Sequence, residues 1–239
     1  MTNRPLIGIL LDYETSGSFS KRPHYALRTA YFDAVWKAGG LPVGMPYIED
    51  ARSDYLSALD GLIVPGGFYP FPAEVYGHPA NGEAVHPRYA FERTLMTDAL
   101  QRDLPTLGIC AGMQVMAVAR GATVYDDIAK ELDCAVDHLN EKPAEEPAHT
   151  VTVANGTRLH QITGLSEIAV NTAHNEALRD IPEGIVVSAR APDGIVEAIE
   201  LPDRRFAIGV QWHPEFFIED GDPNFKLFTH LVQNAGTKP

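Results

Sequence analysis

The sequence contains little cysteine, with two residues, Cys110 and Cys134, in a chain of 239. One sits in an apolar, glycine-flanked stretch and the other in an acidic one. That difference argues against a disulfide framework and against a thiolate zinc site, and it suits a reducing compartment. Cationic residues are also few, 19 Lys and Arg against 32 Asp and Glu, so the formal net charge is -13. An acidic surface repels nucleic acid and anionic membranes, which leaves small molecules or proteins as partners. Long hydrophobic runs are absent too. The N-terminal run from Leu6 to Leu11 ends at Asp12, too short for a signal peptide or a membrane span, so a soluble cytoplasmic protein is expected. No metal or organic cofactor is implied, and the oligomeric state is left open, with a homo-oligomer compatible.

With 45% hydrophobic and 21% charged residues, the composition fits one large α/β domain, and residues 1–239 are read as a single unit without repeats or an evident linker. Leu6 to Leu11 reads as a strand buried on both faces, as in a parallel sheet. Leu27, Ala30, Tyr31, Ala34, Val35 and Ala38 recur at helical spacing, predicting a helix over 25–38 stopped by Gly39-Gly40. A second strand at LPVGMP, a helix over 50–59 and a third strand over 60–65 give a β-α-β-α-β order. Doubly wound α/β architecture follows. A Pro-, Gly- and aromatic-rich loop over 66–86 precedes a helix over 87–101, a strand over 105–109 and a helix over about 112–120. The polar stretch 126–150 reads as a surface excursion. Beyond it the chain turns β-rich, with short β-branched runs at HTVTVA, EIAVN, GIVVSAR, GIVEAIE and FAIGVQ, and a final helix over 224–233.

Chemistry concentrates at three strand ends. In Leu107-Gly108-Ile109-Cys110-Ala111-Gly112-Met113-Gln114, a thiol stands between a buried strand and a helix, with glycines two residues to either side. This is a nucleophile-elbow pattern: small neighbours permit a strained turn, and the helix N-terminus favours negative charge at the nucleophile. A lone cysteine at a strand end is more often an inert core residue. Gly209-Val210-Gln211-Trp212-His213-Pro214-Glu215 supplies a second strand end. There i,i+2 alternation along an extended chain would set an imidazole and a carboxylate on one face, so that the acid fixes the tautomer and the other ring nitrogen takes the thiol proton. At Val64-Pro65-Gly66-Gly67, paired glycines let a backbone N–H approach a ligand, and a plain turn is the alternative. The remaining histidines, His24, His78, His86, His138, His149, His160 and His230, show no metal-ligand spacing, and surface or packing roles are expected for them. Cys134 is read as structural.

In this order and at these strand ends, the three pieces resemble the class I glutamine amidotransferase-like superfamily, which has a flavodoxin-like sheet. Arg88, Phe91 and Glu92 before the nucleophile strand, the aromatic stretch from Phe68 to Tyr76, Val170-Asn171-Thr172 with His174, and the closing GVQWHPE are similar to the γ-glutamyl-γ-aminobutyrate hydrolase branch of the C26-type peptidases. The resemblance implies a stand-alone hydrolase of a γ-glutamyl amide. Its triad would be Cys110, His213 and Glu215, and its oxyanion hole the amides of Gly67 and Ala111. Phe68, Tyr69, Gln114, Asn171, His174 and Asn175 would bind substrate.

Three positions depart from that branch. Ala111 stands where Arg is common after the nucleophile, Phe68-Tyr69-Pro70 replaces an acidic position, and His174-Asn175-Glu176 stands for His-His-Gln. The leaving group is therefore not carried over. An amine such as a polyamine would suit the acidic surroundings, Glu74 and Glu176 included. Two other readings are a glutaminase subunit that passes ammonia to a separate synthetase and a catalytically silent binding homologue. Activity of the isolated protein discriminates between them.

Overall fold

A computed structural model describes residues 4–236. Among them a nine-stranded sheet forms the centre, in the spatial order Leu41–Met45, Leu6–Leu10, Gly61–Val64, Thr106–Ile109, Ala207–Val210, Val196–Glu200, Val186–Arg190, His149–Val153 and Glu167–Val170. The first five pair in parallel and the remaining ladders are antiparallel. The doubly wound core and the β-rich C-terminal part thus belong to one mixed sheet.

Strand alternation decides which core each side chain joins. Ile7, Ile9, Ile63, Leu107, Ile109 and Val210 face a layer made by the helices Thr29–Lys37 and Phe225–Ala235. Leu10, Leu62 and Val64 face the opposite layer, under the helices Pro87–Gln101 and Ala111–Val118. Phe228 and Leu231 are fully buried, each stabilising the fold by about 1.5–3 kcal/mol. No helix among the described residues is long and apolar enough to cross a membrane.

One element differs from the helical spacing. The helix begins at Thr29, and His24–Ala26 instead pair antiparallel with Asp12–Glu14. Tyr25 meets Tyr13 and Tyr47 edge-on, at centroid separations of 5.6 and 5.4 Å, and this aromatic packing outweighs a helical start. Tyr31, one of the residues at helical spacing, is buried against the sheet.

Candidate active site

Three adjacent parallel strands end at one place. Val64 pairs with Gly108 and Val210 with Ile109, so Pro65-Gly66-Gly67, Cys110 and the 211–215 segment emerge side by side at the carboxyl edge, where open α/β sheets bind ligands. Cys110 has φ 51° and ψ -110°, in the left-handed half of the map that a side chain disfavours. Its N–H donates to the Val210 carbonyl at 2.7 Å, and the following residue opens the helix Ala111–Val118. The strained backbone is held by both anchors. A side chain on Gly112 would strike the Val64 carbonyl, and one on Gly66 would come within 2.7 Å of the His213 ring. Both glycines are therefore steric necessities of this close approach.

His213 and Glu215 meet as the sequence expects, but not through strand alternation. The strand ends at Val210, and Pro214–Phe216 form a 3₁₀ turn that folds the carboxylate back, placing Glu215 Oε1 2.8 Å from His213 Nδ1. Both residues are buried, with Arg28 reaching Glu215 at 3.8 Å from a half-exposed position. Burial opposes protonation of His213. The Glu215 charge, the hydrogen bond with Cys110 and the hydrogen bond with Glu215 outweigh it and push the imidazole up to about 10. An imidazolium facing a sulfur is the resting arrangement this environment favours.

Further residues hold this group in position. Asn171 clamps the His213 backbone from both sides: its Oδ1 accepts the His213 N–H at 2.8 Å and its Nδ2 donates to the His213 carbonyl at 3.0 Å. Gln211 donates Nε2–H to Cys110 Sγ at 3.5 Å, and Gln114 in turn donates to Gln211 at 3.2 Å. The Tyr31 hydroxyl accepts the Gly66 N–H at 3.2 Å. Gln211 and Tyr31 were not singled out from sequence. Gln211 lies two residues before His213, and that spacing is the signal that could have pointed to it.

A buried arginine braces the glycine loop. Arg88 donates from Nη2 to the carbonyls of Pro65 and Gly66, each at 3.0 Å, and from Nε to Glu92 at 2.7 Å, while Nη1 lies 2.9 Å from Asp12. Any side chain at Gly67 would collide with this guanidinium. Tyr69, expected at the substrate, is committed here instead: its hydroxyl bonds Glu92 and its ring lies 4.6 Å from the Arg88 guanidinium carbon. Burial raises the Glu92 carboxyl above its ordinary range, with Arg88 and Tyr69 opposing that rise.

The other expected substrate contacts divide. Phe68 is exposed beside the glycine loop and Asn171 touches His213, whereas Gln114 is buried behind the thiol with its amide bonded to Gln211 and to the Glu176 carbonyl. His174 and Asn175 turn elsewhere. His174 Nδ1–H donates to the Glu176 carbonyl on one side and the ring faces Glu197 on the other, and Asn175 donates to the Asp126 carbonyl. His138 and His149, read from sequence as surface or packing residues, also converge on Glu197. Chain separations of 11 to 59 positions hid this cluster. A recess of about 750 Å³ lies beneath the 70–86 loop and is not lined by Cys110.

Glu176 accepts a hydrogen bond from the Tyr76 hydroxyl at 2.6 Å. Burial pushes its carboxyl up to about 7, with Asp126 adding to the rise and the Tyr76 hydrogen bond opposing it. The folded state thus holds this proton more tightly than the unfolded chain, whose carboxyl titrates near 4.3, and stability falls as pH rises from there through 7. Glu176→Gln is expected to raise the unfolding midpoint by several degrees at pH 8 and to leave it nearly unchanged at pH 4.5, the pH-dependent part being on the order of 3 kcal/mol at most. Thermal melts of both proteins across that range would show it, and parallel curves would remove Glu176 as the source.

The sheet and its strand-end cysteine define a glutamine amidotransferase-like α/β protein. The chain belongs to the peptidase C26 family, which it matches over residues 5–215. It is 30% identical over 277 aligned positions to a protein of Rickettsia prowazekii (strain Madrid E) named as glutamine amidotransferase-like, covering 98% of each chain. It is also 30% identical over 224 positions to the gamma-glutamyl-gamma-aminobutyrate hydrolase PuuD of Escherichia coli (strain K12), covering 90% of this chain and 87% of that one. Among solved structures it is similar to the glutaminase domain of Trypanosoma brucei CTPS with bound acivicin. The TM-score there is 0.65 at 18% identity, over 98% of this chain and 95% of the other, which is a likeness of fold.

Proposed function

We infer that the protein hydrolyses a γ-glutamyl amide through a thioester on Cys110. The observation that carries this reading is the strained Cys110 at a helix N-terminus, hydrogen-bonded to a His213 that Glu215 keeps protonated. Cys110 sulfur attacks the γ-carbonyl carbon, and the carbonyl oxygen takes up the electron pair between the amides of Gly67 and Ala111. The Ala111 N–H belongs to the first residue of its helix and so has no intrahelical acceptor. As the tetrahedral intermediate collapses, His213 Nε2–H protonates the departing amine and the C–N bond breaks. His213, now neutral, takes a proton from water as it attacks the thioester. Glutamate leaves, and the sulfur and imidazolium are restored.

The leaving portion is an amine, of which γ-aminobutyrate and a polyamine are the two candidates with opposite charge at the far end. Similarity to the Escherichia coli hydrolase favours the first, and the acidic chain the second. Single-turnover mass spectrometry with a panel of γ-glutamyl amines and glutamine, quenched in acid beside Cys110→Ala, tests both levels. Wild type is expected to gain one glutamyl mass and the variant none. A released amine without any adduct would exclude the thioester route, and release of ammonia alone from glutamine would favour a glutaminase subunit.

A further inference from the structure

Glu197 lies in the middle of the sheet, in the strand Val196–Glu200, and is fully buried. Three imidazoles surround it: His149 Nε2 at 3.2 Å, His138 Nδ1 at 3.4 Å and His174 Nε2 at 3.6 Å, all measured to the same oxygen, Oε1. All three rings are buried at the side chain, at 6% exposure or less. None of these approaches makes a hydrogen bond of acceptable geometry. His138 Nδ1, His149 Nε2, His174 Nε2 and both Glu197 oxygens are buried polar atoms without a partner. So many orphaned donors and acceptors around one point carry a large desolvation cost unless something satisfies them.

We propose that His138, His174 and Glu197 form a structural binding site for one divalent transition-metal ion, zinc by preference, with His149 Nε2, which approaches the same Glu197 oxygen, drawn in as a fourth ligand when the ion binds. Ligand atoms of His138, His174 and Glu197 lie within 4.8 Å of one another. Zinc binds nitrogen and oxygen at about 2.0–2.2 Å, so the edges of its tetrahedron are roughly 3.3 Å, the range of the three distances to Glu197. The outer contacts of His138 and His174 agree, while His149 Nδ1 is buried without a hydrogen-bond partner. His138 Nε2 faces Asp193 Oδ2 at 3.0 Å, and His174 Nδ1 faces the Glu176 carbonyl at 2.9 Å. A carboxylate or carbonyl on the far nitrogen makes that nitrogen the N–H and leaves the lone pair on the other, here the one aimed at Glu197. Asp193 is fixed in turn by the N–H groups of Val136 and Ile195.

Charge points the same way. A dication with Glu197 and Asp193 as carboxylates and three neutral imidazoles sums to zero in a buried place, whereas without it two of the buried imidazoles must carry protons to balance the two carboxylates. Three nitrogens and one oxygen disfavour magnesium and calcium, which take oxygen ligands. A cavity of about 600 Å³ lined by His138, His174 and Asn175 gives a route in from solvent. The ion would tie the 126–148 excursion and the 171–176 segment to the central sheet. That segment carries Asn171, which clamps His213, so the site supports the active centre without joining its chemistry.

The test uses the full chain. Protein stripped with a chelator is titrated with Zn²⁺ and with Co²⁺, followed by metal analysis, visible absorption and thermal unfolding. The proposal expects one ion per chain, the visible bands of tetrahedral Co²⁺ without a thiolate charge-transfer band, and a midpoint raised by several degrees at saturating Zn²⁺. Cys110→Ala should bind as wild type does, which separates this site from the thiol chemistry. Asp193→Asn should weaken binding about 10- to 100-fold and Glu197→Gln at least as much. Far below one ion per chain with no shift in the midpoint of wild type would overturn the site, and so would a thiolate charge-transfer band. The wild-type measurements decide the matter even if a variant fails to fold.

Discussion

Glu215→Gln is expected to lower kcat for γ-glutamyl amide hydrolysis by about 10⁴-fold, the scale seen when the orienting acid of a triad loses its charge. The side chain is isosteric, so the 3₁₀ turn over Pro214–Phe216 and the contact with Nδ1 can persist. What disappears is the charge, the largest influence that raises His213 to about 10. The variant's imidazole should therefore titrate well below that value, toward the ordinary 6.5. The sign carries to stability. A histidine whose folded pKa is raised contributes stability that is fully present below about 6.5 and is lost as pH climbs through about 10. Wild type should accordingly lose stability across that window while the variant stays flatter. Histidine-resolved NMR titration beside steady-state kinetics checks both halves. A variant within tenfold of wild type, or a His213 that still titrates near 10, would show that Glu215 is not the orienting acid. Cys110→Ala should lower the same pKa, because the thiol also favours the cation.

Arg88→Met should destabilise the fold by about 3–5 kcal/mol, since it strands the buried Glu92 beside Tyr69 without its cation. For a chain of this size that is a fall of roughly 6–20 °C in the midpoint. The double variant Arg88→Met/Glu92→Leu removes both charges and should recover most of that loss, as apolar replacement of a buried pair commonly does. Activity should not return with it. The Pro65 and Gly66 carbonyls lose their shared donor, and the Gly67 amide loses the wall that fixes its position. We expect kcat to remain down by about 10²-fold, the scale of one misplaced oxyanion donor. Recovery of activity along with stability would reduce Arg88 to a packing residue.

Most of the fold is legible in the sequence because the parallel core is built from local signals. Apolar runs such as LIGIL and GLIV are too short and too β-branched or glycine-bounded for helices, and the intervening segments repeat at helical spacing. The hairpin of Asp12–Glu14 with His24–Ala26 was not legible, since it depends on Tyr25 meeting Tyr13 and Tyr47, and Tyr47 lies 22 positions away along the chain. At the site, Cys110, Gly66 and His213 announce themselves by flanking glycines and by standing at strand ends. The assignments that shifted are those whose partner is remote. Tyr69 was drawn to Glu92, 23 positions on, and His174, in a loop, to Glu197 on the strand Val196–Glu200.

The sequence by itself determined the doubly wound core, the elbow that strains Cys110, and the closeness of His213 to Glu215, because each follows from residues within a few positions of one another. Tertiary structure alone decided three things: that Arg88 braces the glycine loop, that Asn171 clamps His213, and that three histidines gather around Glu197. Side chains far apart in the chain meet only when strand order and register bring them together. Once buried there, a charge or an unpaired nitrogen must find its partner within hydrogen-bonding or coordination distance.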